Sequence, residues 1–195
     1  MSDEATVAVY QARVADYVRM VGPPDADIRA FAEALGPGGR ALDLGCGPGT
    51  AAARMVALGL ELEAWDATPA MVETARAAGV DARVALFEDL DAEGAFDGIW
   101  ASFSLLHAPK ADLPGLLARV GRALRPGGTL YLGMKTGTGE RRDGLGRFYA
   151  FWTVEELTRL LAGAGMTVTA IREGEEAGLA GSVDPFAILW ARRDA

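Results

Sequence analysis

The sequence predicts an α/β protein: an open, mostly parallel sheet with helices on both faces. Three observations carry that prediction. Leu42-Asp43-Leu44-Gly45-Cys46-Gly47-Pro48-Gly49-Thr50 joins an apolar run to an Ala-, Met- and Leu-rich stretch, as a strand-to-helix turn does. Short apolar runs then alternate with helical stretches down the chain, which asks for parallel strands joined by crossover helices. The last two apolar runs, Val168 to Arg172 and Phe186 to Trp190, have no helix between them and should pair antiparallel.

Taken in order, Val7, Tyr10, Val14, Tyr17, Val18 and Val21 share one face of a helix from Ala5 to Val21, stopped by Gly22-Pro23-Pro24. A second helix, Asp25 to Leu35, ends at Gly36-Pro37-Gly38-Gly39. Arg40-Ala41-Leu42 opens the first strand, and Thr50 to Leu58 is the helix behind the glycines. Leu60 to Trp65 is the second strand. Thr68-Pro69 reads as an N-cap with proline at the first helical position, and that helix runs to Ala78. Val80 to Phe87 and Asp97 to Ala101 are the third and fourth strands. Lys110 to Leu124 is a helix and Gly128 to Met134 the fifth strand. Thr153-Val154-Glu155-Glu156 is a capping box opening the last helix, which ends at Gly163-Ala164-Gly165.

A chain of 195 residues, half hydrophobic and 24% charged, suits one globular domain spanning 1–195. The net charge of −8 opposes a nucleic-acid partner, since such binding rests on cationic contacts. One cysteine allows no internal disulfide and fits a cytoplasmic protein. No apolar run reaches the ~20 residues of a membrane span, so no membrane partner is expected. A lone histidine and a lone cysteine give no metal cluster.

Glycines on a strand-to-helix turn let backbone N–H groups approach a ligand without an intervening Cβ. Two carboxylates flank the turn. Asp43 stands before the first glycine, where a carboxylate suits a ligand ammonium group. Asp66 lies 17 residues past Gly49, where an acid takes a ribose diol. No Lys-Ser or Lys-Thr follows the glycines, so a phosphate-cradling P-loop is excluded, and the G-x-G-x-x-G spacing of a dinucleotide site is not kept. The pattern asks for a ribose and a cationic amine without a pyrophosphate, which S-adenosylmethionine provides.

Asp43-Leu44-Gly45-Cys46-Gly47-Pro48-Gly49-Thr50 resembles the first motif of the class I S-adenosylmethionine-dependent methyltransferases. Asp66 matches their acid after the second strand. Phe96-Asp97-Gly98-Ile99-Trp100-Ala101 resembles their fourth-strand motif, and Leu124-Arg125-Pro126-Gly127-Gly128 the turn before their fifth strand. Gly139 to Arg147 resembles a signature of small bacterial members. The resemblance implies seven strands in the order 3-2-1-4-5-7-6, the last antiparallel. It also implies S-adenosylmethionine as cofactor, S-adenosylhomocysteine as product, and a small-molecule acceptor. By it, the cofactor-binding residues are Asp43, Gly45, Cys46, Gly47, Asp66, Ala67, Phe87, Glu88 and Ala101. Residues 1–36 would cover the cofactor cleft, bringing Tyr10 and Tyr17 to it.

His107, the only histidine, follows the fourth strand at the mouth of the cleft and is the candidate general base or substrate ligand. Residues 135–152 form a long connection placed to be a lid. Its Arg141, Arg142, Arg147 and Tyr149 are candidate substrate ligands, and three arginines in an acidic chain point to an anionic acceptor. Nucleic-acid amino-methylating enzymes of this fold carry Asn/Asp-Pro-Pro-Tyr/Phe after the fourth strand. Ala101-Ser102-Phe103-Ser104 stands there instead. Two alternatives remain at this point: a non-catalytic S-adenosylmethionine-binding regulatory protein and an NAD-dependent oxidoreductase. The latter is disfavoured by the glycine spacing and the lack of Tyr-x-x-x-Lys. Monomer and homodimer are both compatible with the sequence.

Overall fold

In the computed structural model, which describes residues 3–20 and 24–195, sixteen elements follow one another. They are α1 (Glu4–Ala12), α2 (Val14–Met20), α3 (Asp25–Leu35), β1 (Arg40–Leu44), α4 (Thr50–Ala57), β2 (Glu61–Asp66), α5 (Pro69–Ala77) and β3 (Ala82–Val84). Then come β4 (Phe96–Ser102), α6 (Leu113–Ala123), β5 (Leu124–Lys135), β6 (Glu140–Arg142), β7 (Phe148–Ala150), α7 (Val154–Gly163), β8 (Met166–Ala177) and β9 (Val183–Arg193). The main sheet has the order β3-β2-β1-β4-β5-β9-β8, with β9 antiparallel to both neighbours. Counting main-sheet strands alone, this is the 3-2-1-4-5-7-6 arrangement the resemblance implies. The numbering differs because β6 and β7 form a separate two-stranded sheet.

Strand alternation builds two cores, one on each sheet face. Leu42, Ile99, Ala101, Leu130 and Leu132 pack toward α6 and α7 with Leu117, Leu157 and Leu161. Their neighbours Ala41, Trp100 and Tyr131 join Ile28, Phe31, Met55 and Val72 on the other face. Trp100 and Tyr131 are cross-strand partners, and their rings stack 3.6 Å apart at 4°. Phe31 meets Trp100 edge-on at 5.3 Å. Gly98 makes that approach of α3 fit: a Cβ there would stand 2.6 Å from Phe31 Cζ and 2.8 Å from Leu35 Cδ2.

Several expectations change in detail. The leading helix is two helices, broken at Arg13, whose N–H bonds back to Tyr10 O at 3.2 Å. Its proposed stop falls partly on Val21, Gly22 and Pro23, outside the described residues. Asp3 caps α1 through Thr6 N at 2.8 Å. Thr68 holds the N-cap position of α5 without a side-chain capping bond; Asp66 takes its N–H instead, at 2.8 Å. The third strand shrinks to three residues because the chain turns into a 3₁₀ turn at Phe87–Asp89. Helix α6 starts at Leu113, with 110–112 in a turn before it. Leu124–Gly128 belongs to β5: Leu124 pairs with Phe96, and pairing resumes at Thr129 opposite Gly98 after a bulge. The 135–152 connection is a hairpin rather than an open loop, with Arg141 opposite Tyr149. The capping box at Thr153 and Glu156 is present, with bonds of 2.8 and 3.2 Å. Among the described residues no helix is long and apolar enough to cross a membrane.

Gly98→Ala should force α3 off the sheet. We expect a loss of about 1–3 kcal/mol in urea unfolding, the usual range for overpacking, and a Tm lowered by roughly 2–4 °C per kcal/mol.

Candidate ligand cleft

The C-terminal ends of β1, β2 and β4 converge on an open cleft. Its floor is the glycine turn. Gly45 N and Cys46 N both donate to Trp65 O, at 2.8 and 2.9 Å, and Gly47 N donates to Asp66 Oδ2 at 2.9 Å. The turn is thereby tied to β2 by three bonds. Each glycine has a separate reason. Gly45, at φ 86°, leaves room for Ser104, which a Cβ would strike. Gly47, at φ 53°, faces Tyr17 Cε1, which would stand 3.5 Å from a Cβ. Gly49, at φ 79°, caps α4 and sits where a Cβ would meet Ala75 Cβ at 2.7 Å.

Asp43 is 2% exposed, and its Oδ2 has no hydrogen-bond partner. Burial, and then the charge of Asp66, push its pKa up to about 8. Burial also raises Asp66, against the bonds from Thr68 and Gly47 that favour its ionised form. Two acids thus sit close together, both raised by burial and neither lowered by a neighbouring cation. A buried polar atom without a partner is costly, and a ligand cation would remove that cost.

Tyr10, Tyr17, Gly45, Gly47, Asp66, Ala67, Phe87, Glu88 and His107 line the cleft. Asp43 lies behind the turn, off the lining. Cys46 and Ala101 are not among the lining residues. The Cys46 side chain packs into the core with α3 and α4, its thiol donates to Gly47 O at 3.4 Å, and burial pushes the thiol up. Ala101 is fully buried, because strand alternation turns it toward α6. Ser102, Phe103 and Ser104 reach the cleft in its place.

Phe103 is the residue that sequence reasoning missed. Its φ of 54° is the one positive value outside glycine among the described residues. Such a conformation costs about 1–3 kcal/mol and gathers at functional sites. Phe103 N donates to Gly133 O at 3.0 Å, and Gly133 leaves room for the ring, since a Cβ there would lie 3.3 Å from Cδ2. No sequence pattern marks a phenylalanine for this backbone.

The far wall joins three distant parts of the chain. His107 Nδ1 lies 2.6 Å from Phe148 O, which can only accept, so Nδ1 carries the proton. Nε2 is then the acceptor for the Tyr10 hydroxyl at 2.9 Å. Arg147 Nη1 donates to the same Tyr10 oxygen at 3.0 Å, while its Nε and Nη2 bind Asp143 at 2.9 and 2.6 Å. Burial, with the charges of Arg147 and Lys135, lowers His107 to about 4, against the favourable Phe148 bond. In this arrangement both His107 nitrogens are engaged by the protein, and burial keeps the imidazole neutral.

The hairpin arginines also find protein partners. Arg142 makes a bidentate pair with Asp3, at 2.7 and 2.9 Å, which holds that carboxyl well below the usual range. Arg141 lies over the Phe151 ring at 3.5 Å and lines a separate hollow with Lys135 and Asp143. Arg147 is buried on Asp143. Of the three arginines expected to meet an anion, two are thus paired with carboxylates and the third covers a ring. Tyr149 is buried beside His107, ring centroids 4.7 Å apart.

Residues 41–128 match the model of a family described as a methyltransferase domain. Ubiquinone biosynthesis O-methyltransferase of Xanthomonas campestris pv. campestris is 39% identical over 104 residues, covering 49% of this chain and 43% of that protein. The Xanthomonas oryzae pv. oryzae protein of the same name is 40% identical over 103 residues, covering 49% and 42%. The match therefore spans less than half the length of these curated relatives. Among solved structures, a Burkholderia thailandensis 1,6-didemethyltoxoflavin-N1-methyltransferase with bound 1,6-didemethyltoxoflavin and S-adenosylhomocysteine superposes with a TM-score of 0.71. It is 25% identical and covers 96% of this chain and 88% of its own. A Methanosarcina mazei S-adenosylmethionine-dependent methyltransferase has a TM-score of 0.75 at 18% identity, over 85% and 97%.

Two titrations follow from the buried groups. The folded chain holds the Asp43 proton up to about pH 8, whereas the unfolded chain releases it near 3.8. Its stabilising contribution is complete below pH ~4 and falls as pH rises toward 8. Asp43→Asn should therefore gain on wild type in urea unfolding across pH 5–7, by up to about 1.4 kcal/mol per pH unit. His107 has the opposite sign. Its folded pKa is about 4 against an ordinary 6.5, so its contribution is present above 6.5 and lost as pH falls toward 4. As the sole histidine it gives one imidazole signal by NMR, which should titrate near 4. A midpoint near 6.5 would contradict the hydrogen-bonded arrangement.

Proposed function

We propose that this chain, a class I S-adenosylmethionine-dependent methyltransferase by family and fold, transfers a methyl group to a small-molecule acceptor. The observation that carries this reading is the unpartnered Asp43 carboxyl beneath a glycine turn whose neighbouring strand ends in Asp66. The residues fit the cofactor on two counts. Asp43 lacks a cation, and Gly45 and Gly47 present the cleft with backbone free of Cβ atoms. On this reading Asp43 answers the amino group and Asp66 the ribose hydroxyls. Phe87 and Glu88 flank the adenine, and Tyr10 and Tyr17 close the cleft opposite the turn.

When bound, the cofactor supplies an electrophilic methyl on a sulfonium whose leaving group, S-adenosylhomocysteine, departs neutral. The chain then has no need of an acid. Its contribution is positioning, which can supply about 7–11 kcal/mol of a barrier, and exclusion of water beneath the Tyr10–His107–Phe148 wall. His107 acts there by holding Tyr10 and the hairpin, not by taking a proton. We read 1–195 as one domain, with 1–36 and 135–152 as cover and lid. A single cysteine suits the cytoplasm, and the charge of −8 argues against nucleic acid as a partner.

Calorimetric titration tests this reading. Wild type should bind S-adenosylhomocysteine with a micromolar Kd and show no binding of NAD. Asp66→Ala should weaken that affinity by about tenfold or more, with melting curves checking that the variant is folded. NAD binding in place of S-adenosylhomocysteine would revive the oxidoreductase alternative, and binding of neither ligand would sink both readings. S-adenosylhomocysteine binding without methylated product from a panel of hydroxy- and amino-aromatics would favour the regulatory binder.

A further inference from the structure

A second compartment lies beside the ligand cleft. Tyr10, Tyr17, Ser102, Phe103 and His107 line both, so the two adjoin one another. We infer that this second compartment receives the methyl acceptor, and that the acceptor is an uncharged planar aromatic molecule; the inference rests on the methyltransferase reading above.

The walls are aromatic and come from separate elements. Phe103, at the end of β4, meets Phe186 of β9 edge-to-face at 5.6 Å and 88°. Tyr10 of α1 meets Tyr17 of α2 in the same way, at 5.6 Å and 89°. Tyr149 of β7 adds a further ring. Rings fixed in this manner offer flat and edge-on contact to another ring, a geometry that rewards a planar aromatic guest beyond its area. The strained backbone of Phe103 sits where the two compartments join, so its ring is held at the boundary between cofactor and acceptor.

Charge selects against ions. The compartment's two cations are already neutralised. Lys135 Nζ lies 2.5 Å from Asp184 Oδ2, both side chains 14% exposed, and 4.3 Å over the Tyr149 ring. Arg147 is held by Asp143. An anionic acceptor has to displace one of these carboxylates and leave it poorly solvated. A cationic acceptor meets Lys135 and Arg147 themselves. The remaining acid, Glu176, is exposed at the rim. An uncharged ring disturbs neither pair and buries apolar surface.

Three matched probes test this by calorimetry at pH 7, each with saturating S-adenosylhomocysteine: 2-naphthol, 2-naphthoate and 2-naphthylmethylammonium. 2-Naphthol should bind about tenfold or more tightly than either ion. Phe186→Leu, which keeps apolar volume but loses the ring, should weaken 2-naphthol by a further fold-change of about ten while S-adenosylhomocysteine changes far less. Equal or tighter binding of the anion or the cation overturns the inference, as does no binding of 2-naphthol to a chain that binds S-adenosylhomocysteine. Failure of S-adenosylhomocysteine itself to bind is a different result: it sinks the methyltransferase reading.

Discussion

The Trp65 carbonyl and the Asp66 carboxylate between them take three N–H groups from the glycine turn, and this sets where everything else in the site can stand. A turn from strand to helix exposes several backbone donors at once, and each needs a partner or a ligand. Tying the turn to the neighbouring strand satisfies three of them and holds Gly45 and Gly47 in left-handed conformations. It also fixes the depth of Asp43, two residues earlier, below the reach of water. Ser104 locks the other side by donating to Leu44 O at 2.5 Å, in space that only a glycine at 45 leaves. The cleft floor is therefore a cross-linked piece of three parallel strands, not a flexible loop.

What the sequence made legible follows from range. Helix and strand periodicity, the Thr153–Glu156 box and the glycine turn are interactions over a few residues, and they were readable one stretch at a time. The hidden features depend on partners far away. The placement of α1 and that of 135–152 are tied to one another across the cleft, through Asp3 with Arg142 and Thr6 with Phe148. Strand register decided that Ala101 turns to the core while Ser102 and Phe103 turn to the cleft. A one-residue offset along a strand changes the face, which motif matching by position does not register. The left-handed Phe103 had no signature at all.

Charge was the least legible property. Three arginines in a chain of −8 look available on paper. Folding brings Asp3 to Arg142 and Asp143 to Arg147, and Asp184 likewise neutralises Lys135. The first pair fastens the hairpin to the first helix, the second closes the hairpin's own turn, and the third joins the ends of β5 and β9. His107 belongs to the same fastening: its placement at the mouth of the cleft is what a base would need, yet its two nitrogens serve Tyr10 and Phe148. Position in a fold and availability for chemistry are separate properties.

The union of α1 with the hairpin also has a temporal side. Asp3 and Arg142 are 139 residues apart in sequence, and Thr6 and Phe148 are 142 apart. A ribosome adding about 5–20 residues per second makes the second partner roughly 7–28 s after the first. Through that interval the first helix has its cap in Asp3 but lacks its wall partners, and the strands of the cofactor floor are synthesised before them. The nascent chain thus holds the residues of the cofactor floor before it holds those that cover the site. Any chaperone that attends this protein during synthesis meets Tyr10 and Tyr17 unburied.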